Sequence, residues 1–156
     1  MKVYIASSWK NQHAVEMLTA TLREMGIEVI SFVDAAVEAE GREGLRFDVN
    51  KWIASEDGQR KFEYDTEGAT KSDLVVYIGP SGTDAWAEVG AAWASGVPIF
   101  GLWAKGEPAG LMRRMVTWFK DYKELLRYVE GHKGTLQMLA SLRGPETGIP
   151  ATEVQS

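Results

Sequence analysis

Leu74-Val75-Val76-Tyr77-Ile78-Gly79-Pro80-Ser81-Gly82-Thr83-Asp84-Ala85-Trp86-Ala87-Glu88-Val89-Gly90, closed by Gly96-Val97-Pro98-Ile99-Phe100-Gly101-Leu102, decides the fold. The first apolar run does not alternate with polar residues, so it reads as a strand covered on both faces. Gly79-Pro80 ends that strand, Ser81–Ser95 reads as a helix, and Pro98–Leu102 is a second short apolar strand. A strand, a helix and a strand in succession make a right-handed crossover between parallel neighbours.

The same alternation extends both ways. Toward the N-terminus, Val3–Ala6 is a strand and Asn11–Met25 a helix, with Ala14, Val15, Leu18, Leu22 and Met25 at helical spacing and Gly26 as its stop. Ile27–Phe32 is the next strand. From Asp34 to Glu56 the pattern weakens around Gly41 and Gly44, and we read a loop with a short helical piece over Phe47–Ile53. Gln59–Ser72 is a polar helix leading into Leu74. Beyond Leu102, Met115–Phe119 is a last strand, and a helix from Asp121 runs through Leu125, Leu126, Tyr128 and Val129 toward Leu142. The expectation is a single-domain α/β protein: a mostly parallel, twisted sheet of about five strands with helices on both faces, flavodoxin/Rossmann-like. The domain spans residues 1–143, and 144–156, with two prolines and little apolar content, reads as a flexible tail.

Composition limits what such a domain does. In 156 residues there are 22 acidic and 17 basic side chains, a net charge of −5, and no cysteine. Disulfides, zinc ribbons and thiol nucleophiles are out. With His13 and His132 the only imidazoles, we expect no metal site and no cofactor. The acidic balance argues against a nucleic-acid polymer as partner. Apolar runs such as Leu74–Ile78 are far short of the roughly 18 residues that span a membrane. A cytoplasmic protein without membrane contact is expected.

In an open parallel sheet, ligands bind beyond the carboxyl ends of the strands, so the turns after Ala6, Ile78 and Leu102 are the places to search. The first, Ala6-Ser7-Ser8-Trp9-Lys10-Asn11, lacks the glycine fingerprint of dinucleotide sites. Its polar groups either cap the helix or meet a phosphate or sugar hydroxyl. In the second, Ser81 and Asp84 fit a variant of the capping box. Asp84 and Glu88 then stand one turn apart as the only charges between Ser81 and Ser95, with no basic residue to offset them. Ala85, Ala91, Ala92 and Ser95 surround Glu88, small residues that let the helix lie close to something. A carboxylate there either answers the helix dipole or is a nucleophile or base. Asp65, in Glu63-Tyr64-Asp65-Thr66, precedes Asp73 by eight residues on a helix crowded with charge, where pattern alone reads a surface acid. Asp73, at the start of the strand, reads as a structural cap. Trp86 reads equally as core or as a stacking surface.

On these residues the chain resembles the nucleoside 2-deoxyribosyltransferase family, which includes related nucleoside and nucleotide N-glycoside hydrolases. Ala87-Glu88-Val89-Gly90-Ala91-Ala92 with Gly96-Val97-Pro98-Ile99 matches that family's E-x-G-x-A followed by G-x-P, and the likeness runs from Met1 to about Val129, omitting Asp34–Glu56. The resemblance implies that Glu88 is the nucleophile, that Tyr4 hydrogen-bonds it, and that Asp65 protonates the leaving base. Ser7, Trp9, Ser81, Gly82, Asp84, Trp86 and Met112 would contact substrate. Gly82 stands where a second Asp is common in the family, and Asp84 is the acid that would replace that Asp from a different turn. Ser81 is offset by one from the phosphate-binding serine of the nucleotide hydrolases. Gly110, in Pro108-Ala109-Gly110-Leu111-Met112, stands where transferases bring an Asn from a neighbouring subunit.

The implied chemistry is cleavage of an N-glycosidic bond through a glycosyl ester on Glu88, then transfer of the 2-deoxyribosyl group to another nucleobase. Burial beside a second carboxylate would raise Asp65, and Tyr4 would keep Glu88 ionised. Two alternatives stand beside it: an N-glycosidase acting on nucleosides or their 5′-monophosphates, and a nucleotide-binding module without turnover. The expected partners are a nucleoside or nucleotide and a free nucleobase. A homo-oligomer, dimer or higher, is also implied, with Met112–Phe119 read as either an interface or a buried strand.

Overall fold

The structure is a computed structural model that describes residues 1–37 and 48–143. The expected tail from Gly144 and the centre of the weakly patterned stretch lie outside the described residues. Among the described residues five strands form one parallel sheet: β1 (Lys2–Ala6), β2 (Glu28–Ser31), β3 (Leu74–Ile78), β4 (Ile99–Leu102) and β5 (Thr117–Phe119), in the order β2-β1-β3-β4-β5. This is the flavodoxin-like order, whose switch point lies between β1 and β3. There Val3 pairs with Leu74 and Ala6 with Tyr77.

The helices are α1 (Gln12–Glu24), α2 (Phe32–Val37), α3 (Val49–Ile53), α4 (Glu56–Lys71), α5 (Thr83–Ala94) and α6 (Tyr122–Leu142). The alternating sides of each strand explain the two-sided core. Val3, Ile5, Leu74 and Val76 pack with Val15, Leu18 and Leu22 of α1 and Leu125 and Val129 of α6. Tyr4, Ala6, Val75 and Tyr77 face the opposite way, toward Ala69 of α4 and Ala85, Val89 and Ala92 of α5. Each fully buried aliphatic side chain contributes roughly 1.5–3 kcal/mol. Asp73 closes the edge at the other end of the strands: its carboxylate accepts from the Lys2 N–H at 2.7 Å.

Three local readings change. Phe32 does not extend β2; it opens α2, where Asp34 pairs with Arg23 at 2.6 Å. The polar helix starts at Glu56 rather than Gln59, because the Ser55 hydroxyl accepts from the Gly58 N–H. At α5 the capping box does not form. Gly82 is the cap residue and contributes no side chain, while the Ser81 hydroxyl turns inward to the Ile78 carbonyl.

Candidate active site

The site is assembled where β1, α4 and α5 meet. Tyr4 lies in the middle of β1 on the α4/α5 face, and its ring is almost wholly buried. It fits because residue 68 has no side chain: a Cβ there would come within 2.4 Å of Tyr4 Cδ2. With α4 drawn this close, Asp65, one turn earlier, meets the Tyr4 hydroxyl, which donates to Asp65 Oδ1 at 3.2 Å. The other oxygen, Oδ2, is ion-paired with Lys61, again one turn back along α4. Glu88 comes from the second turn of α5, where small neighbours let that helix lie against α4.

Glu88 is the electrostatically strained member. Its carboxyl is pushed up to about 8, first by burial and then by the charge of Asp65, with a small contribution from Asp84. Hydrogen bonding from Tyr4 and the charge of Lys61 act in the opposite direction and do not overcome the loss of water. This runs against the expectation that Tyr4 keeps Glu88 ionised: its hydrogen bond lowers the carboxyl but does not offset burial and the charge of Asp65. Tyr4 itself is driven far above the ordinary phenol range, by burial and then by the two carboxylates, and so acts only as a neutral donor.

The remaining expected residues divide by position. Ser7 and Ser81 stitch the two ligand-side turns together. The Ser7 hydroxyl donates to the Ile78 carbonyl at 2.9 Å and lies 3.4 Å from the Ser81 hydroxyl. Asn11, which sequence reasoning missed, donates to Ser7 Oγ and to the carbonyls of Ile78 and Pro80. The Ser8 hydroxyl beside them is buried with no hydrogen-bond partner among the described residues. Trp9 begins a 3₁₀ turn, half exposed, edge-on to Phe32 with ring centres 4.9 Å apart. Gly82 and Asp84 are exposed at the start of α5.

Trp86 and Met112 lie elsewhere. The Trp86 ring packs against Tyr77, and its Nε1 donates to the buried carboxylate of Glu107 at 3.2 Å. With Met112, Pro108, Arg113 and Met115, Trp86 lines an open cavity of about 270 Å³ that none of Tyr4, Asp65 and Glu88 reaches. The carboxylate pair marks the candidate site, because two carboxyl groups and a buried phenol converge there beside the switch point. Among the described residues no group of three His, Asp or Glu side chains could hold a metal ion, and no helix is long and apolar enough to cross a membrane.

Two solved structures share this arrangement of strands and helices. A CMP N-glycosidase of Clostridium botulinum, BcmB, superposes with a TM-score of 0.55 at 19% identity, over 83% of this chain and 99% of that one. A 2-deoxyribosyltransferase of Bacillus psychrosaccharolyticus gives 0.60 at 22% identity, over 87% and 96%. The fold is theirs. It is the fold of a deoxyribosyltransferase and of an N-glycosidase, the two kinds of enzyme that the sequence resemblance names. At these identities the likeness speaks for the fold alone. No family model matches the chain, and no curated protein matches it in sequence.

Proposed function

We propose that this chain cleaves the N-glycosidic bond of a deoxynucleoside and transfers the 2-deoxyribosyl group to a second nucleobase. The observation that carries this reading is the buried pair Asp65 and Glu88, joined by the Tyr4 hydroxyl beside the switch point. Two such carboxylates supply what glycoside cleavage with retention needs, a nucleophile and a proton donor.

Burial and the charge of Asp65 raise the Glu88 carboxyl to about 8, so the reaction begins by moving its proton. With the proton on Asp65, a Glu88 oxygen attacks the anomeric carbon as the bond to the base nitrogen breaks. The electron pair of that bond leaves with the base, and Asp65 protonates it. The acceptor base then attacks the same carbon, frees Glu88 and returns its proton to Asp65. Tyr4 hydrogen-bonds the carboxylate form of Glu88 and so stabilises it for the attack. Trp9 offers an exposed ring on which a base can stack.

The test is chromatographic. A deoxynucleoside incubated with a second free base should give the exchanged nucleoside. Base released without exchange, or only from 5′-monophosphates, replaces transfer with hydrolysis. Neither release nor exchange from any common deoxynucleoside or its monophosphate overturns the proposal.

A further inference from the structure

We propose that Lys61 is a positioning residue: its ammonium pins the Asp65 carboxylate against Tyr4 and offsets the second negative charge that appears when the pair of Asp65 and Glu88 loses its proton. For its catalytic consequence this rests on the function proposed above; its electrostatic content does not.

The geometry distinguishes this pair from an ordinary helix-surface pair. Lys71 and Glu67, also one turn apart on α4, are 48% and 64% exposed, whereas Lys61 and Asp65 are 29% and 18% exposed. Each Asp65 oxygen has its own donor, Tyr4 Oη on Oδ1 and Lys61 Nζ on Oδ2, so the carboxylate cannot turn without breaking one of the two bonds. The lysine stem runs past Tyr64, with Nζ 5.8 Å from that ring centre. Around Glu88 the groups that act on its charge are Tyr4 from β1, Asp65 and Lys61 from α4, and Asp84 from its own helix α5. Of these four, Lys61 alone is a cation. Two carboxylates that share a dry site without a cation resist the second ionisation strongly. With Lys61 present, the doubly ionised pair carries a net charge of about −1 instead of −2, and Glu88 can lose its proton within reach of neutral pH.

This role differs from simple support of the helix. A structural pair would be replaced by any residue that keeps α4 folded. A positioning cation is replaced only by another cation.

The experiment follows the carboxyl carbon of Glu88 by NMR in protein labelled with 13C-glutamate, with the Glu88 signal identified by its loss in Glu88→Gln. Titration of wild type, Lys61→Met and Lys61→Arg needs no substrate. The expected result is a midpoint higher by about one pH unit in Lys61→Met and close to wild type in Lys61→Arg. Base release by Lys61→Met should then persist to about one pH unit higher than in wild type before it declines. Lys61→Gln, nearer in shape to lysine, takes the place of Lys61→Met if that variant does not fold. An unmoved or lowered midpoint in the neutral variant overturns the proposal, as does an equal rise in Lys61→Arg. If the titration behaves as expected but no nucleoside is cleaved, Lys61 keeps its role and the proposed function fails instead.

Discussion

Gly68 lies flat on the ring of Tyr4, so close that a Cβ at position 68 would stand 2.4 Å from Cδ2 and 2.7 Å from Cε2. Tyr4 is fixed in the centre of the sheet, so the helix would have to give way. Gly68→Ala should therefore destabilise the fold by roughly 1–3 kcal/mol although alanine is the better helix former. It should also move Asp65 off the Tyr4 hydroxyl and cut base release more than the lost stability explains. Thermal melting and initial rates on one preparation check both effects.

Glu88 makes a second prediction, about stability. Its carboxyl binds the proton more tightly in the folded chain, at about 8, than in the unfolded one, at 4.5. The stabilisation from this proton is complete below the unfolded value and is lost as pH rises through the folded one. Between those limits it is on the order of a few kcal/mol. Glu88→Gln removes the titration, so its melting temperature should exceed that of wild type at about pH 8 and above, with the gap closing as the pH falls toward 4.5. Melting curves across that range read it directly.

The pH profile of the reaction follows from the same carboxyl. On the proposed mechanism Glu88 and Asp65 share one proton, so kcat/KM should hold below about 8 and fall about tenfold per pH unit above it, where that proton is lost. Tyr4→Phe removes a hydrogen bond that favours the ionised form, so its descending limb should lie at higher pH. A Tyr4→Phe profile that coincides with wild type would remove Tyr4 from the account of how Glu88 is ionised.

Glu107 is a buried carboxylate outside the site, and it has a structural task. It accepts from the Tyr77 hydroxyl at 3.0 and 2.8 Å and from Trp86 Nε1, while the same hydroxyl accepts from the Ser81 N–H. Gly79 leaves the space it occupies, since a Cβ there would sit 2.0 Å from Glu107 Oε2. Glu107→Ala should cost about 1–3 kcal/mol by stranding Tyr77 and Trp86. Gly79→Ala should be costly in wild type but much less so in the Glu107→Ala background, a coupling that a double-mutant cycle of unfolding measures.

Five strands, the main helices and a parallel sheet were legible because short apolar runs and helical spacing report burial directly. Phe32 was misassigned because an aromatic residue after a strand looks the same whether it continues the strand or opens a helix. The inward turn of Ser81 was hidden because a capping motif in sequence does not say whether the hydroxyl finds the helix or the preceding carbonyl. At the site, Glu88 stood out by being a lone acid among small residues. Asp65 did not, and Lys61 was passed over, because on a helix as charged as α4 the buried pair and the solvated pairs share one spacing. Which pair is dry depends on how α4 meets β1, and Gly68, the residue that sets this, carries no chemical signal. The proton affinity of Glu88 was misjudged for a related reason: burial outweighs one hydrogen bond, and burial is not written locally.

The claim on which the rest depends is that Glu88 forms a bond to the sugar. Protein quenched during turnover of a deoxynucleoside, digested and analysed by mass spectrometry, measures this most directly. The expected result is a deoxyribosyl adduct on the peptide containing Glu88, absent from Glu88→Gln, which also releases no base. Turnover that persists in Glu88→Gln, or an adduct on a different peptide, would contradict it.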